Sequence, residues 1–217
     1  MIKKNRLLYG IMIAAAGASL LIGGTVAYLT DYDTAANEFT VGKVDIELQE
    51  PGWDPEDHKK ILPTEEIKKD PQIKNVGIND AFVYLEVSVP VSKVITADNA
   101  GNRKEAADTE LFTFTPGKDW LLMDSYMSGT SKIYQYVYTK ILPASQTSSA
   151  LFEKMNFANI IEGQLDGQTL DVPVRAYAIQ TVNTGDNSES VVDQAKAAFT
   201  KYINQNKQQP GAASVKS

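Results

Sequence analysis

The 217-residue chain has no cysteine. That excludes disulfides, thiolate nucleophiles and cysteine-held metals, so outside the cell it must be held together by packing alone. It has a single histidine, His58. A serine triad would have to be built around that one imidazole, and a zinc site would need Asp and Glu for its other ligands, an unusual set. His58 lies in "DPEDHKK", a polar connection, and reads as an exposed loop residue. Basic charge is also short: 21 Lys and Arg stand against 27 Asp and Glu, a net of −6. Nucleic-acid binding needs clustered Lys and Arg, so no nucleic-acid partner is expected. There is no H-E-x-x-H, no G-x-S-x-G and no phosphate-cradling glycine loop. Neither a catalytic residue nor a cofactor or metal site is therefore expected.

What is present begins at the N-terminus. Lys3, Lys4 and Arg6 precede the uncharged stretch 7–22, and Gly23, Gly24, Thr25, Val26 and Ala27 then supply small residues. Thr25 and Ala27 occupy the −3 and −1 positions of a cut between Ala27 and Tyr28, the layout of a secretory signal peptide. The alternative is an uncleaved anchor, since the run is near the roughly 20 residues a spanning helix needs. Cleavage would remove three basic residues and no acids, leaving a net near −9. The expected location is secreted or at the cell surface, with membrane attachment only before cleavage.

From Phe39 onward a period of two dominates. "VDIEL" sets Val44, Ile46 and Leu48 against Asp45 and Glu47, and "AFVYLEVSVPV" sets Phe82, Tyr84, Glu86 and Ser88 against Val83, Leu85, Val87 and Val89. Both patterns predict half-buried strands. "LFTF", "WLLM", "KIYQYVYTKIL", "ALFEKMNF" and "LDVPVRAYAIQTV" follow, parted by turn formers such as "PGKD", "SGTS" and "LDGQ". "TADNAGNRKEAADTE" reads as a polar loop. "ILPTEE" superficially resembles a sorting signal through Leu62-Pro63-Thr64-Glu65, but it lacks the glycine and reads as a turn at a strand edge. Asp31, Asp33 and Asn37 are spaced loosely like a calcium loop without its glycine or closing glutamate, and read as solvated acids. Only "SESVVDQAKAAFTKYINQN" has helical spacing, with Val191, Val192, Ala195, Ala198, Phe199, Tyr202 and Ile203 on one face and Ser188 or Ser190 as the cap.

These signals predict a mainly β protein, an antiparallel sandwich with one C-terminal helix. The expected organisation is a signal peptide over 1–27, an N-terminal segment over 28–41, the β-domain with its helix over 42–206, and a disordered tail over 207–217.

"GGTVAYLTDYDTAANEFTVGKVDIEL" resembles the start of TasA/camelysin-type proteins of Gram-positive bacteria, with a cleavage region read by a SipW-type signal peptidase. "ILPTEEIKKDPQIKNVGINDAFVYLEV", "YQYVYTKILPASQTSSALFEKMNF" and "VPVRAYAIQTV" resemble later parts of the family, so that the likeness spans most of 7–205. The resemblance implies a jelly-roll-like sandwich that assembles into extracellular biofilm-matrix fibres or coats the cell. It also implies donor-strand exchange, in which the mature N-terminal segment completes a sheet of the next subunit. Here the donor would be Tyr28 to about Val41, anchored by Leu29, Tyr32, Phe39 and Val41. Self-assembly, or pairing with a related fibre subunit, is the partner this implies. Two other readings remain open: a camelysin-like surface metalloprotease, and a minor accessory or anchoring protein of a fibre. The segment could also fold back as the first strand of its own domain.

Overall fold

A computed structural model describes residues 44–54, 61–182 and 190–207. These all fall in the compact unit Lys43–Ser217. Ten strands and one helix follow in order: β1 (Ile46–Gln49), β2 (Glu66–Lys68), β3 (Gln72–Asn75), β4 (Ala81–Val94), β5 (Ala107–Glu110), β6 (Phe112–Phe114), β7 (Trp120–Ser128), β8 (Ser131–Tyr138), β9 (Lys154–Phe157), β10 (Val174–Gln180) and the helix α1 (Val191–Lys207). Every ladder is antiparallel. The main sheet runs β10-β4-β8-β7, with β5 extending β4; β2-β9-β6 and β1-β3 are separate ladders. The expectation of a mainly β chain with one late helix therefore holds.

The centre is β4, 14 residues long. Its alternation sorts side chains to two faces. Val83, Leu85, Val87 and Val89 join Ile67, Ile73, Phe112, Met155 and Phe157 from the smaller ladders in one core. Phe82 and Tyr84 join Val137 and the helix residues Ala195, Ala198 and Phe199 in a second. The strand read as half-buried is thus covered on both faces along its first half. The helix supplies the second cover, and a period of two cannot reveal what lies against its polar-looking face.

The helix docks as its spacing predicts. Phe199 packs against the rings of Tyr84 and Tyr177 with centroids 4.7 and 5.9 Å away. The Tyr84 hydroxyl donates to the Ala195 carbonyl oxygen at 2.7 Å. Of the two possible caps, Ser190 does the work: its Oγ accepts from the Asp193 amide at 3.2 Å and donates to the Asp193 carboxylate at 2.6 Å. Ser190 thus serves as the N-cap, and the Asp193 carboxylate in the first turn holds its hydroxyl in place. Ser190→Ala should cost about 1 kcal/mol, read as a lowered urea midpoint.

Two expectations need adjustment. The polar stretch 96–110 is not all loop, because its last four residues form β5, paired with Val91–Val94. Ala-Asp-Thr-Glu has no apolar alternation, so the ladder of β4 alone recruits it. Leu48 sits on the intended inner face of β1 but is 38 % exposed. The turn reading of "ILPTEE" holds: Glu65 N bonds the Leu62 carbonyl at 3.0 Å, and Thr64 has φ of 67°. Pro then Thr at the centre fits a turn needing positive φ in second place, where a β-branched residue is strained. Thr64→Gly should raise stability by up to about 1 kcal/mol, measured by thermal unfolding.

Burial holds several phenols protonated. The hydroxyls of Tyr84, Tyr134, Tyr136 and Tyr177 are all pushed up, each chiefly by desolvation. For Tyr134 the bond to Glu110, at 2.6 Å, adds to the shift. An unfolded tyrosine titrates near 10.0. Above that pH the folded chain holds more protons than the unfolded one, so stability present below pH 10 falls as pH rises through the folded values. The urea midpoint should hold up to about pH 10 and fall progressively above it. Tyr84→Phe should shallow that drop while costing about 1 kcal/mol at neutral pH through the lost bond.

Candidate functional site

The residues that the sequence singled out at the N-terminus lie outside the described residues. These are the cleavage pair Ala27 and Tyr28, the anchors Leu29, Tyr32, Phe39 and Val41, and the acids Asp31, Asp33 and Asn37. His58 lies outside them too. Among the described residues, no three His, Cys, Asp or Glu side chains are grouped so as to hold a metal ion. Nor is any described helix long and apolar enough to cross a membrane. "DNAGN" at 98–102 closes on itself: Asp98 Oδ1 accepts from the amides of Ala100 and Asn102 at 2.9 and 2.8 Å, and Oδ2 accepts from Asn102 Nδ2 at 3.0 Å. Those bonds, with the Asn102 side chain first, hold the Asp98 carboxyl below its usual range. It is the turn its composition suggested.

Three surface features stand out. The first is the β7 edge of the main sheet. β7 pairs with β8 on one side, and among the described residues no strand pairs with its other side. Alternate backbone N–H and C=O groups along a strand face opposite edges, so about half of those of β7 face outward. Four of its exposed side chains are large and apolar. Leu121, Leu122, Tyr126 and Met127 are each between 42 and 53 % exposed. Leu122 is paired with the core residue Tyr136, whereas Tyr126 is paired with Ile133 on the helix-side face. The pairing slips between Leu122 and Asp124, a bulge that twists the edge. By contrast, β10 at the other side of the sheet is half-buried along most of its length and lies against β1.

The second feature is a groove of about 720 Å³ bounded by Leu62, Pro63, Phe157, Ile160, Leu165 and Leu170. The third is a polar depression of about 480 Å³ across the outer face of the main sheet. The helix covers Phe82 and Tyr84, and the depression lies beyond them over Glu86 and Ser88. Glu86 is only 7 % exposed. Gln135 Nε2 donates to its Oε2 at 2.9 Å, and Arg175 Nη1 lies 3.6 Å from its Oε1. The sequence had placed Glu86 and Ser88 on the right face of β4, but nothing in a single strand's pattern shows that four strands converge there.

Among the described residues, then, the domain presents a partly apolar sheet edge at β7 and a polar depression over Glu86. The family described as camelysin metallo-endopeptidase matches residues 2–108, a span that takes in β1 to the start of β5. That match, just under half of the chain, supports assignment to the TasA/camelysin family. Searches among curated proteins and among solved structures returned no match.

A metallo-endopeptidase implies a catalytic zinc. The described residues do not fit that group: zinc prefers imidazole or thiolate donors, the chain has no cysteine, and its one histidine is His58.

Proposed function

We propose that the chain is a secreted structural protein, a subunit of extracellular matrix fibres that assembles by donor-strand exchange. The observation that carries this reading is the outer edge of β7, which pairs with no other strand among the described residues and exposes Leu121, Leu122, Tyr126 and Met127. A long hydrophobic edge in water is a template for another strand. The occupant is the segment 28–41 of a second copy, freed by a SipW-type signal peptidase cutting between Ala27 and Tyr28. Leu29, Tyr32, Phe39 and Val41 anchor it, and the three ladders with the added strand form a jelly-roll-like sandwich. The contact is head to tail, so it propagates as a filament. The bulge beside Met123 supports specificity, because an incoming strand must match its kink to pair along the full edge.

Before cleavage the donor is tethered to the membrane, which makes processing the switch for assembly. Thr25→Arg or Ala27→Arg should block processing, and cells carrying either should shed no filaments. Normal filaments from such a variant would contradict the switch.

The family's description favours a second reading, a surface metalloprotease. It is tested with purified secreted protein, added zinc and casein. Chelator-sensitive cleavage that His58→Ala abolishes would establish it in place of the structural role. The expected result is no cleavage above a blank.

A further inference from the structure

We infer that the polar depression on the outer face of the main sheet is a binding site for a neutral oligosaccharide. Its lining comes from four strands and the segment before β10: Glu86, Tyr126, Ser128, Asp171, Arg175 and Tyr177 are the residues that matter. Its size, about 480 Å³, falls within the range of small-ligand sites.

The chemistry selects the ligand class. A sugar ring presents vicinal hydroxyls, each both donor and acceptor, and a weakly apolar face of C–H groups. Planar bidentate groups match adjacent hydroxyls, and here a buried carboxylate, Glu86, stands beside a guanidinium, Arg175. Gln135 locks Glu86 from the side, so the carboxylate is oriented before any ligand arrives. Tyr126 offers a partly exposed ring for the C–H face. Tyr177 is held in place by Phe199 and Tyr202 of the helix, with centroids 5.9 and 6.4 Å away.

Charge narrows the class further. Two carboxylates, Glu86 and Asp171, face one cation, Arg175, so the depression is acidic on balance and repels polyanions. An apolar peptide is also disfavoured, because it would desolvate the Glu86–Arg175 pair and offer it no further hydrogen bonds. A neutral glycan satisfies the carboxylates and the guanidinium with hydroxyls and brings no charge of its own.

The site lies on the outer face of the sheet, whereas the proposed assembly contact runs along its rim. Tyr126 and Ser128 of β7 belong to both surfaces, so sugar binding is measured at protein concentrations at which the parent and both variants run as monomers. The test is native affinity electrophoresis of the mature secreted chain in gels containing soluble β-glucan, xylan, galactomannan or dextran, with polygalacturonate as the anionic control. At least one neutral polymer should retard the protein, and polygalacturonate should not. Tyr126→Ala and Arg175→Ala should each weaken retardation about tenfold, the loss expected for one stacked ring or one bidentate contact. Both side chains are well exposed, at 42 % for Tyr126 and 70 % for the Arg175 side chain, so circular dichroism should stay unchanged. Ile78→Ser, on an exposed turn away from the depression, should bind like the parent. No retardation on any neutral polymer, retardation that both variants leave intact, or stronger retardation by polygalacturonate would overturn the assignment.

Discussion

Lysine at both Leu122 and Met127 should stop filament growth while leaving the domain folded. Both side chains sit on the free edge strand and are more than two-fifths exposed, so neither substitution removes core packing within one subunit. In the assembly the same side chains would be covered by a donor strand. Burying each apolar side chain contributes about 1.5–3 kcal/mol. Losing two, and placing two charges beside the incoming backbone, should raise the concentration needed for assembly more than about 100-fold. Edge lysines are how natural sheets prevent strand addition, which is the physical basis of the design. The readout is pelleting and negative-stain microscopy across a concentration series, with circular dichroism as the fold control. Filaments at the parent's concentration from a folded double variant would mean that β7 is not the acceptor.

The second large effect concerns the helix. Phe199→Ala should destabilise the domain by about 3–5 kcal/mol, the usual cost of emptying a buried aromatic site. Phe199 is 8 % exposed and touches the rings of Tyr84, Tyr177 and Tyr202. For a domain of this size that should lower Tm by roughly 6–20 °C. Losing Phe199 also frees the helix side of Tyr84, whose hydroxyl holds the Ala195 carbonyl. Exchange protection of the α1 amides should therefore fall more than that of β4 and β8. A shift of Tm below about 2 °C would mean that the helix rests on the sheet without holding it.

Much of this architecture was legible in the sequence because two periodicities did not overlap. The period of two in "AFVYLEVSVPV" placed β4, and the 3.6-residue spacing of Val191 to Ile203 placed α1. The cap was legible to within two serines. β5 was not legible, because Ala-Asp-Thr-Glu is recruited by pairing with Val91–Val94 and has no pattern of its own. Nor was the double burial of β4, because Phe82 and Tyr84 are covered by a helix more than 100 residues further along the chain.

The functional surfaces divided in the same way. Leu121, Leu122 and Met127 read as ordinary strand residues, and only the sheet order shows that their strand is an outer one. Glu86 gave a faint signal as a charge in an apolar strand. Its partners Gln135 and Arg175 come from strands far away in sequence, so the depression could not be assembled by inspection. The cleavage pair and the donor anchors, which carried the family resemblance, lie outside the described residues.

The most direct measurement compares two secreted proteins by N-terminal sequencing and negative-stain microscopy. One is the parent, and the other lacks residues 28–41 after its signal peptide. The parent should begin at Tyr28 and form filaments. The shortened chain should keep its β-sheet circular dichroism and stay monomeric at every concentration tested. Filaments of equal abundance from the shortened chain, or a parent that stays monomeric after cleavage, would contradict assembly by donor-strand exchange.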